Sequence, residues 1–214
     1  VKLARLFSEA DIELRRAERF SVLGDPSAKT KLLANKIRSG ELSRRHVAIA
    51  AALGHGPSQS LGLEESYTFK GDSPLEQMLS ALTISRLSYN EITKFVIDCA
   101  EQVLPVFEKV RPNDDRPRRA VEAARSGNRH KAAIAQTAAS VAADLALSPG
   151  GDIDIEAPAE AAAEASSYVA AAVAYPKSRK IGRDNYYALS EVLRAGLDFD
   201  WIKRRLISYL LGEV

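Results

Sequence analysis

Three histidines and one cysteine are the side chains of this 214-residue sequence with the widest chemical reach, and their spacing decides what they can do. His46, His55 and His130 stand far apart with no H-x-x-x-H pairing, and Cys99 has no C-x-x-C companion, so no metal centre is expected. His55 falls in a glycine turn, where a cap or a solvated loop residue is its simplest role, and His130 stands among basic residues near a helix start. A nucleophilic Cys99 would need exposure and a basic neighbour, whereas it shares a helical stripe with Phe95, Val96 and Val103, which predicts burial. Gly54-His55-Gly56 lacks the preceding strand and the third glycine of a dinucleotide fingerprint. With no P-loop and no G-x-S-x-G elbow, no cofactor is implied and an enzyme is not expected. The carboxylates of DIDIE at 152–156 fall short of the calcium-loop pattern and suit the N-terminus of the next helix.

Binding is the chemistry that remains. Arg111, Arg116, Arg118, Arg119, Arg125, Arg129 and Lys131 form the densest basic stretch, interrupted by Asp114, Asp115 and Glu122 and without aromatic residues to stack on bases. A solvated helix face accounts for it most simply, and a nucleic-acid-associated helical protein using 111–131 is the alternative. Tyr186, Tyr187, Phe199, Trp201 and Tyr209 gather aromatic mass near the C-terminus, as a packing anchor or an interface hot spot. The candidate contacts to a partner, expected to be another protein, are Arg116, Arg118, Arg119 and Trp201.

The elements that would position these groups are helices. Asp25-Pro26, Ser43, Ser73-Pro74 with Glu76, Ser88 with Glu91, and Asp115 with Pro117 each read as a helix start, and Ser8 with Asp11 opens the first helix. Gly40, Gly54, Gly127 and Gly196 read as stops. LGDPSAKTKL at 23–32 and LGHGPSQSLGL at 53–63 share a helix-end, glycine, proline, new-helix order, which suits helical hairpins.

Between 88 and 110, Ile92, Phe95, Val96, Cys99, Val103, Val106, Phe107 and Val110 keep the spacing of one buried face, with Asp98, Glu101 and Glu108 directed elsewhere. Pro105 is expected to kink this helix or divide it. From Arg129 to Leu147 the chain is alanine-rich, with Ile134, Val141 and Leu145 as the larger packing groups. SPGGD at 148–152 marks the strongest break, an alanine-rich helix follows from about Ala157 to Ala174, and KSRKIGR at 177–183 reads as a basic connector. Apart from DIDIE no stretch alternates with period two. The expectation is an all-α fold, an orthogonal or antiparallel bundle of about nine helices. Residues 1–147 would form a helical core region, and the helices of 152–214 would pack on the same core across a 148–151 loop.

Composition agrees with this reading. Net charge is +2 with signs interspersed, aromatics make up 7%, and no apolar run reaches the ~20 residues of a membrane span, so no membrane partner is expected. The segment VKLARLFSEADIELRR becomes charged too early for a signal peptide, and one cysteine cannot form an internal bridge, which together point to the cytoplasm.

From Cys99 to Arg125 the chain reads CAEQVLPVFEKVRPNDDRPRRAVEAAR. This resembles a segment of bacterial helical immunity-type proteins, in which a helix ending VLPxFE, a P-x-D turn and RPRxAIEAAR follow one another. Val103, Leu104, Pro105, Phe107, Glu108, Pro112, Asp114, Arg116, Pro117, Arg118 and the run Ala120–Arg125 match it. GELSRRHVAIAAALGH at 40–55 is similar to a recurrent segment found ahead of that motif. The alanine-rich helices after Arg125 depart from that pattern, lacking its tryptophan and, beyond His130, its histidines. The resemblance implies a helical protein that acts by binding a partner protein, as an immunity-type protein or an adaptor, and it brings no catalytic residues. Physically the motif is a corner, with acids at a helix N-terminus and Arg116 and Arg118 within reach of Asp114 or Glu108.

Overall fold

A computed structural model describes residues 9–22, 24–147, 152–176 and 182–214. Among them are eleven helices and no strand: α1 (Glu9–Val22), α2 (Pro26–Ser39), α3 (Arg44–Ala52), α4 (Gly56–Gln59), α5 (Pro74–Ser85), α6 (Tyr89–Val110), α7 (Arg116–Arg125), α8 (Arg129–Ala146), α9 (Ile153–Ala174), α10 (Arg183–Arg194) and α11 (Phe199–Leu211). No described helix is long and apolar enough to cross a membrane. The Ser8 cap, the 148–151 loop and residues 177–181 of the basic connector lie outside the described residues.

Local sequence accounts for most boundaries. Asp25 accepts from the Ser27 amide at 2.9 Å, and Gly40 closes α2 at φ 77°, a left-handed conformation that costs a residue with a Cβ more. Ser73 with Glu76 and Ser88 with Glu91 form complete capping boxes at α5 and α6. The Glu76 carboxyl lies below its ordinary range because the Ser73 amide and hydroxyl, and the Asp72 amide, bond to it.

The chain divides into two compact units, one of residues up to Thr68 together with Ile207–Val214, the other of Phe69–Leu206. In the first, α1 packs on α2, and α4 packs on α2 and α3, whose Val47, Ala48, Ile49 and Ala50 are buried. In the second, α9 is the central helix and packs against α6, α7, α8 and α10. Enclosure on so many sides explains its composition: Ala159, Ala161, Ala162, Ala163, Ala165, Ala170 and Ala172 are all buried, and small side chains let helix axes approach closely.

Four expectations need correction. Pro105 does not divide α6, which runs through it as one helix, because Pro105 and Glu101, whose carbonyl loses its amide partner, both face solvent, where water can replace the bond. α9 starts at Ile153 rather than near Ala157, since Asp152 accepts from the Asp154 amide at 3.0 Å and caps it there, with Pro158 inside the helix. Ile134, Val141 and Leu145 are not packing groups, being 62%, 44% and 57% exposed. The buried face of α8 is Ala132, Ala139, Ala142, Ala143 and Ala146, because the facing helices present Ala120 and Ala170 and leave no depth for a larger side chain. Lastly, Asp98 is only 6% exposed instead of turned outward with Glu101 and Glu108.

Candidate functional site

The motif at 99–125 folds as the corner where α6 hands over to α7. After Val110 the Asp114 amide donates to the Arg111 carbonyl at 3.1 Å, closing a turn that aims the acids at the start of α7. Pro117 sits in the first turn, where the missing amide costs nothing. Asp115 was expected to cap α7, yet its side chain makes no cap bond. Asp114 does that work, accepting from the Arg116 amide at 3.2 Å, because its carboxylate is also gripped by the Arg116 guanidinium at 2.8 and 2.5 Å. That fork holds the Asp114 carboxyl below the usual carboxylate range.

Each cation of the basic stretch can now be placed. Arg118 spans the corner to Glu108 with a two-pronged contact at 2.7 and 2.9 Å. Arg111 donates to the carbonyls of Leu145 and Ala146 at 2.8 and 3.3 Å, satisfying acceptors left over at the C-terminal end of α8. Arg125 reaches Asp98 at 3.0 Å and Glu101 at 2.5 Å. Arg119 meets Asp115 only at 3.8 Å with both side chains 70% exposed, a contact worth little in water. Arg129 and Lys131 are exposed at the start of α8. Four of the seven cations thus serve the fold, and the stretch presents far less free charge than its sequence suggests.

Asp98 escaped the sequence reading although it organises this region. Its carboxylate accepts from Arg125 of α7 and from Arg205 of α11, the latter at 2.9 and 2.7 Å, so one buried acid ties three helices. The signal was weak: Asp98 neighbours Cys99 at the edge of the apolar stripe, and Arg205 lies 107 positions away. Burial, and secondarily the Asp98 carboxylate, pushes the Cys99 thiol well above its ordinary value, so Cys99 is sealed and unreactive.

Between α7 and α8 runs an open groove of about 530 Å³, floored by Ala123, Ala135, Ala138 and Ile134 and edged by Arg116, Arg119, Glu122 and Lys131. Of the candidate contacts, Arg116 and Arg119 border this groove and Arg118 stands on the same helix. Trp201 is half-buried on α11, one turn before Arg205. Of the C-terminal aromatics, Tyr187 stacks on Tyr168 at 5.2 Å beneath the Arg183 guanidinium and meets the largely exposed Tyr186 edge-on at 5.5 Å, and Phe199 takes Lys203 over its ring at 5.3 Å. His55 places Nδ1 2.7 Å from the buried Ser58 hydroxyl, and burial lowers its pKa. Among the described residues no group of three or more His, Cys, Asp or Glu is arranged to hold a metal ion.

Comparison with curated proteins and with solved structures gave no match. A family model described as Imm-5 like putative immunity protein matches residues 82–186, just under half of the chain, from the end of α5 to the start of α10. The corner, the groove and α9 all fall inside the match, and the segment at 40–55 falls outside it. Over 82–186, then, this chain resembles the Imm-5 like immunity proteins, with the VLPVFE and RPRRAVEAAR halves of its motif in the first half of the match.

Proposed function

We propose that the protein acts as an immunity-type protein or adaptor, binding a partner protein without a catalytic step of its own. The observation that carries this reading is the match over 82–186, which contains the α6–α7 corner and the outer face of α7. The chemistry of that face supports it. Arg119, which meets Asp115 only at 3.8 Å, is free to change partner and suited to meeting a carboxylate on another protein, while Arg–carboxylate forks hold Arg116 and Arg118 beside it in fixed orientations. Trp201 offers apolar contact area on α11. A cytoplasmic setting fits a lone, buried Cys99. Nucleic acid is the weaker candidate, because Arg111, Arg116, Arg118 and Arg125 are committed to protein acceptors.

Co-expression with the product of the adjacent reading frame, followed by size-exclusion chromatography at rising salt, tests the proposal. A stoichiometric complex that survives about 0.5 M salt, and that Arg119→Glu weakens without changing the melting temperature, supports it. Steeply salt-dependent retention of RNA or DNA, with no protein complex, contradicts it.

A further inference from the structure

The groove between α7 and α8 is built from two helical stripes. Arg116, Arg119, Ala123 and Ser126 recur every three or four positions along α7, and Lys131, Ala135 and Ala138 do the same along α8. From Arg116 to Ser126 the wall runs about 15 Å, roughly three helical turns. Floor and walls differ in chemistry. The floor is alanine together with Ile134, which is 62% exposed, so it offers apolar contact to a chain that can approach closely. The walls are mainly cationic, with the carboxylate of Glu122 set against Arg116, Arg119 and Lys131. Asp114 grips Arg116, whereas Arg119 has Asp115 only at 3.8 Å and no described ion pair engages Lys131. These two loosely held cations stand on opposite walls, with the apolar floor between them.

On the reading that the protein acts by binding another protein, we propose that this groove seats an acidic amphipathic segment of that partner. An apolar ridge of the segment lies against the alanines, and carboxylates on its two flanks reach Arg119 and Lys131. Charge complementarity selects this occupant. A basic segment would be repelled by the same two cations, and a purely apolar one would strip water from them without supplying an acceptor. A nucleic-acid strand fits less well, because its regular phosphates would run against Glu122 and the floor has no aromatic ring on which a base could stack. The ion pairs sit at the rim of the contact, where they orient the segment, while the floor supplies the burial.

Random peptides of about twelve residues, roughly the helix that spans the groove, selected on the immobilised full chain supply the probe. The enriched peptides are expected to be acidic, with apolar residues at helical spacing. Their affinity should fall about tenfold or more in Lys131→Glu and in Arg119→Glu. Ala138→Trp, which fills the groove, should abolish binding, and the exposed Lys131 gives a readable variant should Ala138→Trp fail to fold. Basic or neutral peptides, no enrichment, or binding indifferent to these substitutions overturns the proposal. So does displacement of the peptide by single-stranded DNA, or self-association of the wild type that Lys131→Glu abolishes, which would give the groove to nucleic acid or to a second copy. A salt-resistant complex with a co-expressed protein that all three variants retain leaves protein binding standing and overturns the groove as its seat. Acidic peptides confined to the groove, with no complex from the adjacent reading frame, support the groove and contradict that choice of partner.

Discussion

α6 and α8 are both long, both lie in the second unit and both pack on α9, yet they turn opposite kinds of side chain inward. α6 buries Phe95, Val96, Leu104 and Phe107, while α8 buries five alanines and exposes Ile134, Val141 and Leu145. The difference lies in what each helix faces. Against α7 and α9, α8 meets Ala120 and Ala170, with Val173 at the side of the cluster, and the close approach that alanines allow leaves little room for larger side chains from α8. Size alone therefore does not tell which face of a helix is the core. Large residues left outside an alanine interface are available for another molecule.

The sharpest way to test this contrast is to empty the core of α6. Phe107→Ala removes a fully buried ring and should cost about 3–5 kcal/mol in chemical denaturation. Enlarging the inner face of α8 comes next: Ala139→Leu should cost about 1–3 kcal/mol by overpacking, whereas Ile134→Ala on the outer face should stay within about 0.5 kcal/mol. If Ile134→Ala destabilises as much as Ala139→Leu, the two faces have been assigned the wrong way round.

The corner gives smaller effects. Arg118 and Glu108 are 46% and 32% exposed, so solvent screens their fork and Arg118→Ala should lower stability by at most about 1 kcal/mol in thermal melts. Asp114 contributes a pH dependence. Its carboxyl is held below the unfolded value, so its contribution is present above the ordinary carboxylate range and is lost as pH falls through the lowered folded value. Asp114→Asn should therefore be slightly less stable than wild type at neutral pH and converge on it in acid, as melts from pH 7 down to pH 2 would show.

Helix existence was legible in the sequence because the punctuation is local: Ser73-Pro74-Leu75-Glu76 and Ser88 with Glu91 encode their capping boxes within four residues. The corner was legible for the same reason, and both expected partners of its arginines, Asp114 and Glu108, lie within ten positions. Asp98 was not, since its burial depends on Arg205, 107 positions on, and helix periodicity is blind to so distant a counter-ion. The outer face of α8 was hidden for a further reason. Ala139 and Leu145 both count as apolar in a periodic pattern, and only the facing alanines of α7 and α9 decide between them.

Thiol labelling tests most directly the claim that α8 turns its alanines in and its large side chains out. Native Cys99 is buried and should give almost no background. Leu145→Cys should react as fast as in the unfolded protein while Ala139→Cys is protected. Protection at 145 together with rapid reaction at 139 would contradict the account and place the apolar stripe of α8 in the core.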